Sequence, residues 1–320
     1  MAAEAVATRR RIIPRPRLTK LLDESPARIK LLVAPAGYGK TTLAQQWLGV
    51  PERRDVWYRG GPASADVAAL AAGISAAASA VVPDAGKRML GRLHAIGHPE
   101  DDVEILAELL AEDIDSWPEH AWLVVDDYQF AMESAASERF IELLVQSPPL
   151  QLIVTSRLRP TWASARRILY GEVQEIERRE LAMEPEEAIS VIGRDDENVS
   201  ALLARAQGWP AIIGLAANTA EVALPRQGLP PALYDYLAEE LYQRLDAQFQ
   251  ATLCKLCVAP IVTPGIQRVL FDDGEAPQLE SAVRLGVLHE NRGSYEIHPL
   301  LRSFLEPKLL ALDPDEVEKL

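Results

Sequence analysis

Residues 34–42, "APAGYGKTT", place a lysine and two threonines directly after a run of small residues. The four apolar residues "LLVA" (31–34) lead into it, and an amphipathic run ending at Trp47 follows. A strand that passes into a helix through so few side chains suits an anion. Gly37 and Gly39 can take backbone angles closed to other residues, so successive N–H groups point inward at the helix start, where the dipole is positive. Lys40 then reaches the β- and γ-phosphates of a nucleotide, and Thr41 offers its hydroxyl to Mg²⁺. The pattern G-x-x-x-x-G-K-[ST] runs from Ala34 to Thr41 with one departure, alanine for the first glycine. A capped, glycine-rich turn with no ligand has the same composition. The strand ahead and the helix behind are the context that the phosphate reading requires.

A second group of candidate side chains follows in "HAWLVVDDYQF". Trp122 to Val125 is an apolar run of strand length that ends in Asp126 and Asp127. A buried parallel strand with acids at its carboxyl end is where open α/β sheets keep their ligand chemistry. One carboxylate at that tip holds Mg²⁺ through water, and its neighbour orients or deprotonates the attacking water. "LQLIVTSR" (150–157) reads as a further strand, and beside the aspartate strand its Arg157 points at the γ-phosphate. Paired acids also mark ordinary turns, and an arginine there also caps a surface loop.

These groups need a sheet to carry them. "DVWYRG" (55–60) reads as a short strand, "DVAALAAGISAAASAVV" (66–82) as a helix without breakers, and 101–115 as another helix. Strands alternating with helices imply an α/β fold with a parallel sheet. A chain of 320 residues has room for two or three domains. Its net charge of −14 opposes nucleic-acid binding by the chain as a whole. The local exception is "RRRIIPRPRLTK" (9–20), with six basic residues and no acid, either a solvated arm or a segment lying over the nucleotide. No apolar run approaches bilayer length and the N-terminus lacks a signal peptide's apolar stretch, so a soluble, cytoplasmic protein without a membrane partner is expected. Cys254 and Cys257 sit at i, i+3 in an apolar helical stretch with no second ligand pair, the pattern of core thiols, and the five histidines show no metal spacing.

Taken in order, "IIPRPRLTKLL", "APAGYGKTTLAQQW", "LVVDDYQF", "IVTSR" and "GWPAIIGLA" resemble the MalT-type regulators. Those belong to the STAND class of signal-transduction ATPases, relatives of the NB-ARC proteins. The resemblance runs from about Arg11 to Leu310. It implies a P-loop NTPase sheet with helices on both faces, then a small helical domain and a winged-helix domain. The implied boundaries are an N-terminal arm over 1–24, a nucleotide-binding domain over 25–178, a helical domain over 179–230, a winged helix over 231–311, and the start of a further region at 312–320.

The resemblance also implies roles. Ile13, Pro14, Arg15 and Arg17 lie against the base; Ala36, Gly37, Tyr38, Gly39, Lys40, Thr41 and Thr42 hold the phosphates. Thr41 and Asp126 hold Mg²⁺, Asp127 serves hydrolysis and Arg157 is the sensor. Pro210 packs on the adenine, a task suited to a proline in the first turn of a helix after Gly208. "IHPLLRSFL" is similar to the Met-His-Asp motif of the class, with Ile297 for Met and Pro299 for Asp, so that His298 contacts the β-phosphate of ADP. "NRGS" between two strand-like runs reads as the wing, and "PQLESAVRLG" as a helix too poor in positive charge for DNA.

The implied activity is slow, Mg²⁺-dependent ATP hydrolysis that resets a switch, closed with ADP and open and self-associating with ATP. Inducer and DNA then engage sensor and output domains beyond "LDPDEVEKL", where the sequence stops. Two other readings share these features. An AAA+ ATPase of the origin-binding type calls for a glutamate where Asp127 stands and a DNA-competent winged helix. An interaction scaffold with a dead nucleotide site needs none of Lys40, Thr41 and Asp126.

Overall fold

The computed structural model describes residues 13–218, 231–243, 245–271, 279, 281–283, 287–291 and 293–312. Most of "PQLESAVRLG", the C-terminal "DPDEVEKL" (313–320) and the arginines at 9–11 lie outside these residues.

The chain enters through α1 (Pro16–Glu24), with proline at its start, and passes into β1 (Ile29–Val33). The phosphate-loop segment leads to α2 (Lys40–Leu48), and β2 (Arg54–Arg59) follows. Three helices, α3 (Val67–Ala78), α4 (Lys87–Leu93) and α5 (Val103–Asp113), precede β3 (Ala121–Asp126). Then come α6 (Ala135–Val145), β4 (Leu152–Ser156), α7 (Ala165–Leu169) and β5 (Val173–Ile176). All neighbours in this sheet run parallel, in the order β2-β3-β4-β1-β5. Burial follows position: β3 and β4 are buried along their whole length, while β2 at one edge buries only Val56.

Alternate residues of each strand feed two cores, as the strand period of two demands. Ile29, Leu31, Leu123, Val125, Leu152 and Val154 face α3, α5 and α6. Leu32, Trp122, Val124 and Ile153 face α1 and α2. This second core continues into the rest of the chain. Helices α8 (Arg178–Leu181), α9 (Pro185–Ile192), α10 (Glu197–Ala206) and α11 (Pro210–Asn218) form one group. Next come α12 (Pro231–Leu237), widened into a π-turn over Ala238–Tyr242, and α13 (Ala247–Leu256). The short strand β6 (Ile261–Val262), α14 (Pro264–Leu270), β7 (Leu288–Asn291), β8 (Ser294–Ile297) and α15 (Pro299–Leu312) complete the described chain. Strands β6, β8 and β7 make an antiparallel sheet, and the β7–β8 hairpin falls on the run that reads as a wing in the sequence.

Several elements depart from the sequence expectation. The helix read to residue 82 stops at Ala78, because the chain turns back so that Ser75 Oγ donates to the Ala85 carbonyl. The 101–115 helix narrows to α5, whose start is preceded by a 3-10 turn at Pro99–Asp101. Cys254 and Cys257 are free and buried, at the end of α13. Among the described residues no helix is long and apolar enough to cross a membrane.

Candidate nucleotide-binding site

The topology brings three strand ends together: β1 leads into the 34–39 loop, β4 lies beside it, and β3 lies beyond β4. Lys40, first residue of α2, is buried, and its ammonium donates to the carbonyls of Ala34 (2.6 Å) and Pro35 (3.0 Å) in its own loop. Burial pulls its pKa down to about 8, with Arg157 adding to the effect and Asp127 and Asp126 opposing it. Gly37 and Gly39 take φ of +79° and +77°, the left-handed conformations that the motif demands. No side chain caps α2, so the first-turn N–H groups, those of Lys40, Thr41 and Thr42, are left to an external acceptor.

At the tip of β3, Asp126 is buried and accepts from Thr41 (2.7 Å) and from Thr155 on β4 (2.6 Å) through Oδ1. Arg59, exposed at the end of β2, reaches its Oδ2 at 3.7 Å. Asp127 lies in the left-handed region at φ +56°, which a short polar side chain tolerates. Its N–H donates to Thr155 Oγ1 and its carboxylate accepts from Gln129 Nε2 at 2.9 Å. Gln129 in turn accepts the Arg157 backbone N–H at 3.1 Å, tying the β3 and β4 tips together. Thr155 and Gln129 were not singled out in the sequence; only their position, at one strand tip and just past another, signals them.

The helical group covers the loop. Trp209 donates its indole N–H to the Ala36 carbonyl (3.1 Å), and the Ala211 N–H, in the first turn of α11 after Pro210, donates to the Gly37 carbonyl (3.0 Å). Tyr38 stacks on Trp209 at 6.0 Å and accepts from Arg178 Nε at 3.0 Å. His298 meets the edge of Trp209 at 4.8 Å. Its Nδ1 accepts the Leu300 N–H (3.2 Å), so Nε2 carries the proton and donates to the Ala206 carbonyl (3.1 Å). Burial lowers its pKa to about 4, and the ring is neutral at physiological pH. Both ring nitrogens of His298 are therefore taken up by the backbone. Arg157, Arg178, His298 and Trp209, together with Val283 and Leu301, line a cavity of about 230 Å³.

The N-terminal segment is clasped rather than free. Gln46 on α2 donates to the Ile13 carbonyl (2.6 Å) and accepts the Arg15 N–H (3.2 Å). Arg15, 6% exposed, donates through its guanidinium to the Leu181 and Ala182 carbonyls and pairs with Glu187 at 3.1 Å. Arg17 pairs with the same carboxylate at 3.3 Å. These guanidinium groups join the segment to α9, a use the sequence did not disclose; Pro14 lies between them and Ile13, which faces Gly214 of α11.

The residues suit a magnesium nucleotide. The loop offers N–H groups and one buried cation, and Thr41 with Asp126 offers two hard oxygen ligands, few enough for an ion that keeps several waters. Among the described residues no cluster of three or more His, Cys, Asp or Glu could hold another metal.

No protein-family model matches the chain. Over 339 residues it is 27% identical to the HTH-type transcriptional regulator MalT of Vibrio campbellii, an alignment covering 96% of this chain and 36% of that protein. Its curated relatives are MalT-type regulators. The chain thus spans little more than a third of the length of the MalT proteins it matches. Among solved structures, a Walker-type ATPase of Pyrococcus abyssi superposes with a TM-score of 0.54 over 93% of this chain and 97% of that one, at 15% identity. This is the P-loop ATPase fold. A STAND protein with a tetratricopeptide-repeat sensor from Pyrococcus horikoshii aligns over 96% of this chain and 44% of its own, at 18% identity and a TM-score of 0.46.

Proposed function

We propose that this chain is the nucleotide-operated switch of a MalT-like transcription regulator, closed when it holds ADP and open when it holds ATP. The observation that carries the reading is the 2.7 Å contact of Thr41 with Asp126, made between two elements far apart in sequence and beside the buried Lys40. Lys40 and the loop from Ala36 to Thr42 hold the phosphates, and the segment Ile13–Arg17 with Pro210 flanks the base. Thr41 and Asp126 would hold Mg²⁺, which when bound spreads the phosphate charge. Asp127, oriented by Gln129, positions the attacking water for slow hydrolysis, and Arg157 senses the γ-phosphate.

The working units are a nucleotide-binding domain (25–178), a helical domain (179–230) and a winged helix (231–311). Contacts of Trp209, Ala211 and His298 keep them closed on ADP. ATP favours the open form by its differential affinity for the two arrangements, and a shift from mostly closed to mostly open needs about 5 kcal/mol of that difference. The open form self-associates in the cytoplasm, while inducer and DNA are read by domains beyond this chain.

Small-angle scattering from the purified chain tests the reading. A larger radius of gyration is expected with a non-hydrolysable ATP analogue and Mg²⁺ than with ADP. Superimposable curves for two nucleotides that both bind would overturn it.

A further inference from the structure

Four successive carbonyls of the phosphate loop are each held by a donor. Those of Ala34 and Pro35 go to the Lys40 ammonium, that of Ala36 to the Trp209 indole, and that of Gly37 to the Ala211 N–H. A trans peptide is planar, with its C=O and the next N–H pointing in opposite directions. Whatever holds a carbonyl outward therefore aims the following N–H inward. The first two peptides are fixed from within the loop, by Lys40. The next two, whose N–H groups belong to Gly37 and Tyr38, are fixed from outside it by the entry to α11.

Trp209 is built into that place. Its ring is 4% exposed, lies against Tyr38 on one side and His298 on the other, and its indole nitrogen is 2.7 Å from where a Cβ on Gly37 would sit. Gly208 and Gln207, both in the left-handed region, turn the chain so that the ring reaches the loop. His298, with both nitrogens held by backbone, touches this assembly through Trp209.

We infer that Trp209 is a positioning residue for phosphate binding: by holding the Ala36 carbonyl outward it turns the Gly37 N–H to the phosphates, and His298 acts on the phosphates through it. This deepens the nucleotide reading above and rests on it. Phosphate affinity then depends on whether the helical and winged-helix units are docked.

Trp209→Phe tests the claim, since phenylalanine keeps the ring contacts and removes the donor. Titration calorimetry with ADP and with adenosine should give an ADP affinity about tenfold weaker and an unchanged adenosine affinity, the loss expected for one hydrogen bond. Ala211→Pro removes the second outside donor, an N–H of the first turn of α11 that has no intrahelical partner to lose, and should give the same selective loss. His298→Ala added to Trp209→Phe should weaken ADP binding less than His298→Ala does alone. Equal losses for ADP and adenosine would reduce Trp209 to a packing role, and an unchanged ADP affinity in both donor variants would overturn the inference. If the parent chain binds no ADP, the nucleotide reading itself fails, a distinct outcome.

Discussion

Lys40→Ala is expected to weaken ADP binding by about 100-fold, measured by titration calorimetry at pH 7. The variant loses charge-assisted hydrogen bonds to the phosphates, each on the order of 1.5–3 kcal/mol, and the only buried cation of the loop. The pH dependence gives a second signature. Burial draws the Lys40 pKa down to about 8 in the free site, and a bound phosphate favours the protonated form. Affinity in the parent is then full below pH 8 and falls as the pH rises past it, because the proton must be regained on binding. The Lys40→Ala variant lacks this fall. Equal ADP affinity in parent and variant would remove Lys40 from the site.

The second large effect comes from Gly37→Ala, best read against Gly39→Ala. Both glycines have φ near +80°, so both substitutions carry a left-handed strain of roughly 1–2 kcal/mol. They differ in space. A Cβ on Gly39 meets nothing within 4 Å, whereas one on Gly37 lies 2.7 Å from the Trp209 indole nitrogen, 2.7 Å from the Tyr236 hydroxyl and 2.8 Å from the Ala211 methyl. Relieving that overlap means backing α11 and α12 off the loop, for a further loss of about 1–3 kcal/mol, the cost typical of overpacking. Nucleotide-free urea denaturation should therefore show Gly37→Ala clearly less stable than Gly39→Ala. Indistinguishable midpoints would mean that the helical group does not rest on the loop.

Much of the candidate site was legible because its residues lie at the ends of strands with strong local signals. The small-residue loop before Lys40, the apolar run before Asp126 and the one before Arg157 each announce a strand and its tip. The order of the strands was not legible, since nothing in "LQLIVTSR" says that β4 separates β1 from β3. Nor was β5, "VQEI", whose polar residues suit an edge strand and mimic a loop. The basic residues Arg15 and Arg17 read as a segment for the nucleotide, and their charges are in fact matched by Glu187, some 170 residues away, a pairing no local pattern encodes. Trp209 stood in plain view inside "QGWPAI", but its donor role depends on a loop carbonyl that only the folded backbone presents.

The most direct test of a nucleotide-holding switch is to denature the freshly purified chain and chromatograph what it releases. About one ADP per chain from the parent, and none from Lys40→Ala, is the predicted result. A parent that carries no nucleotide and takes up neither added ADP nor added ATP would contradict the account.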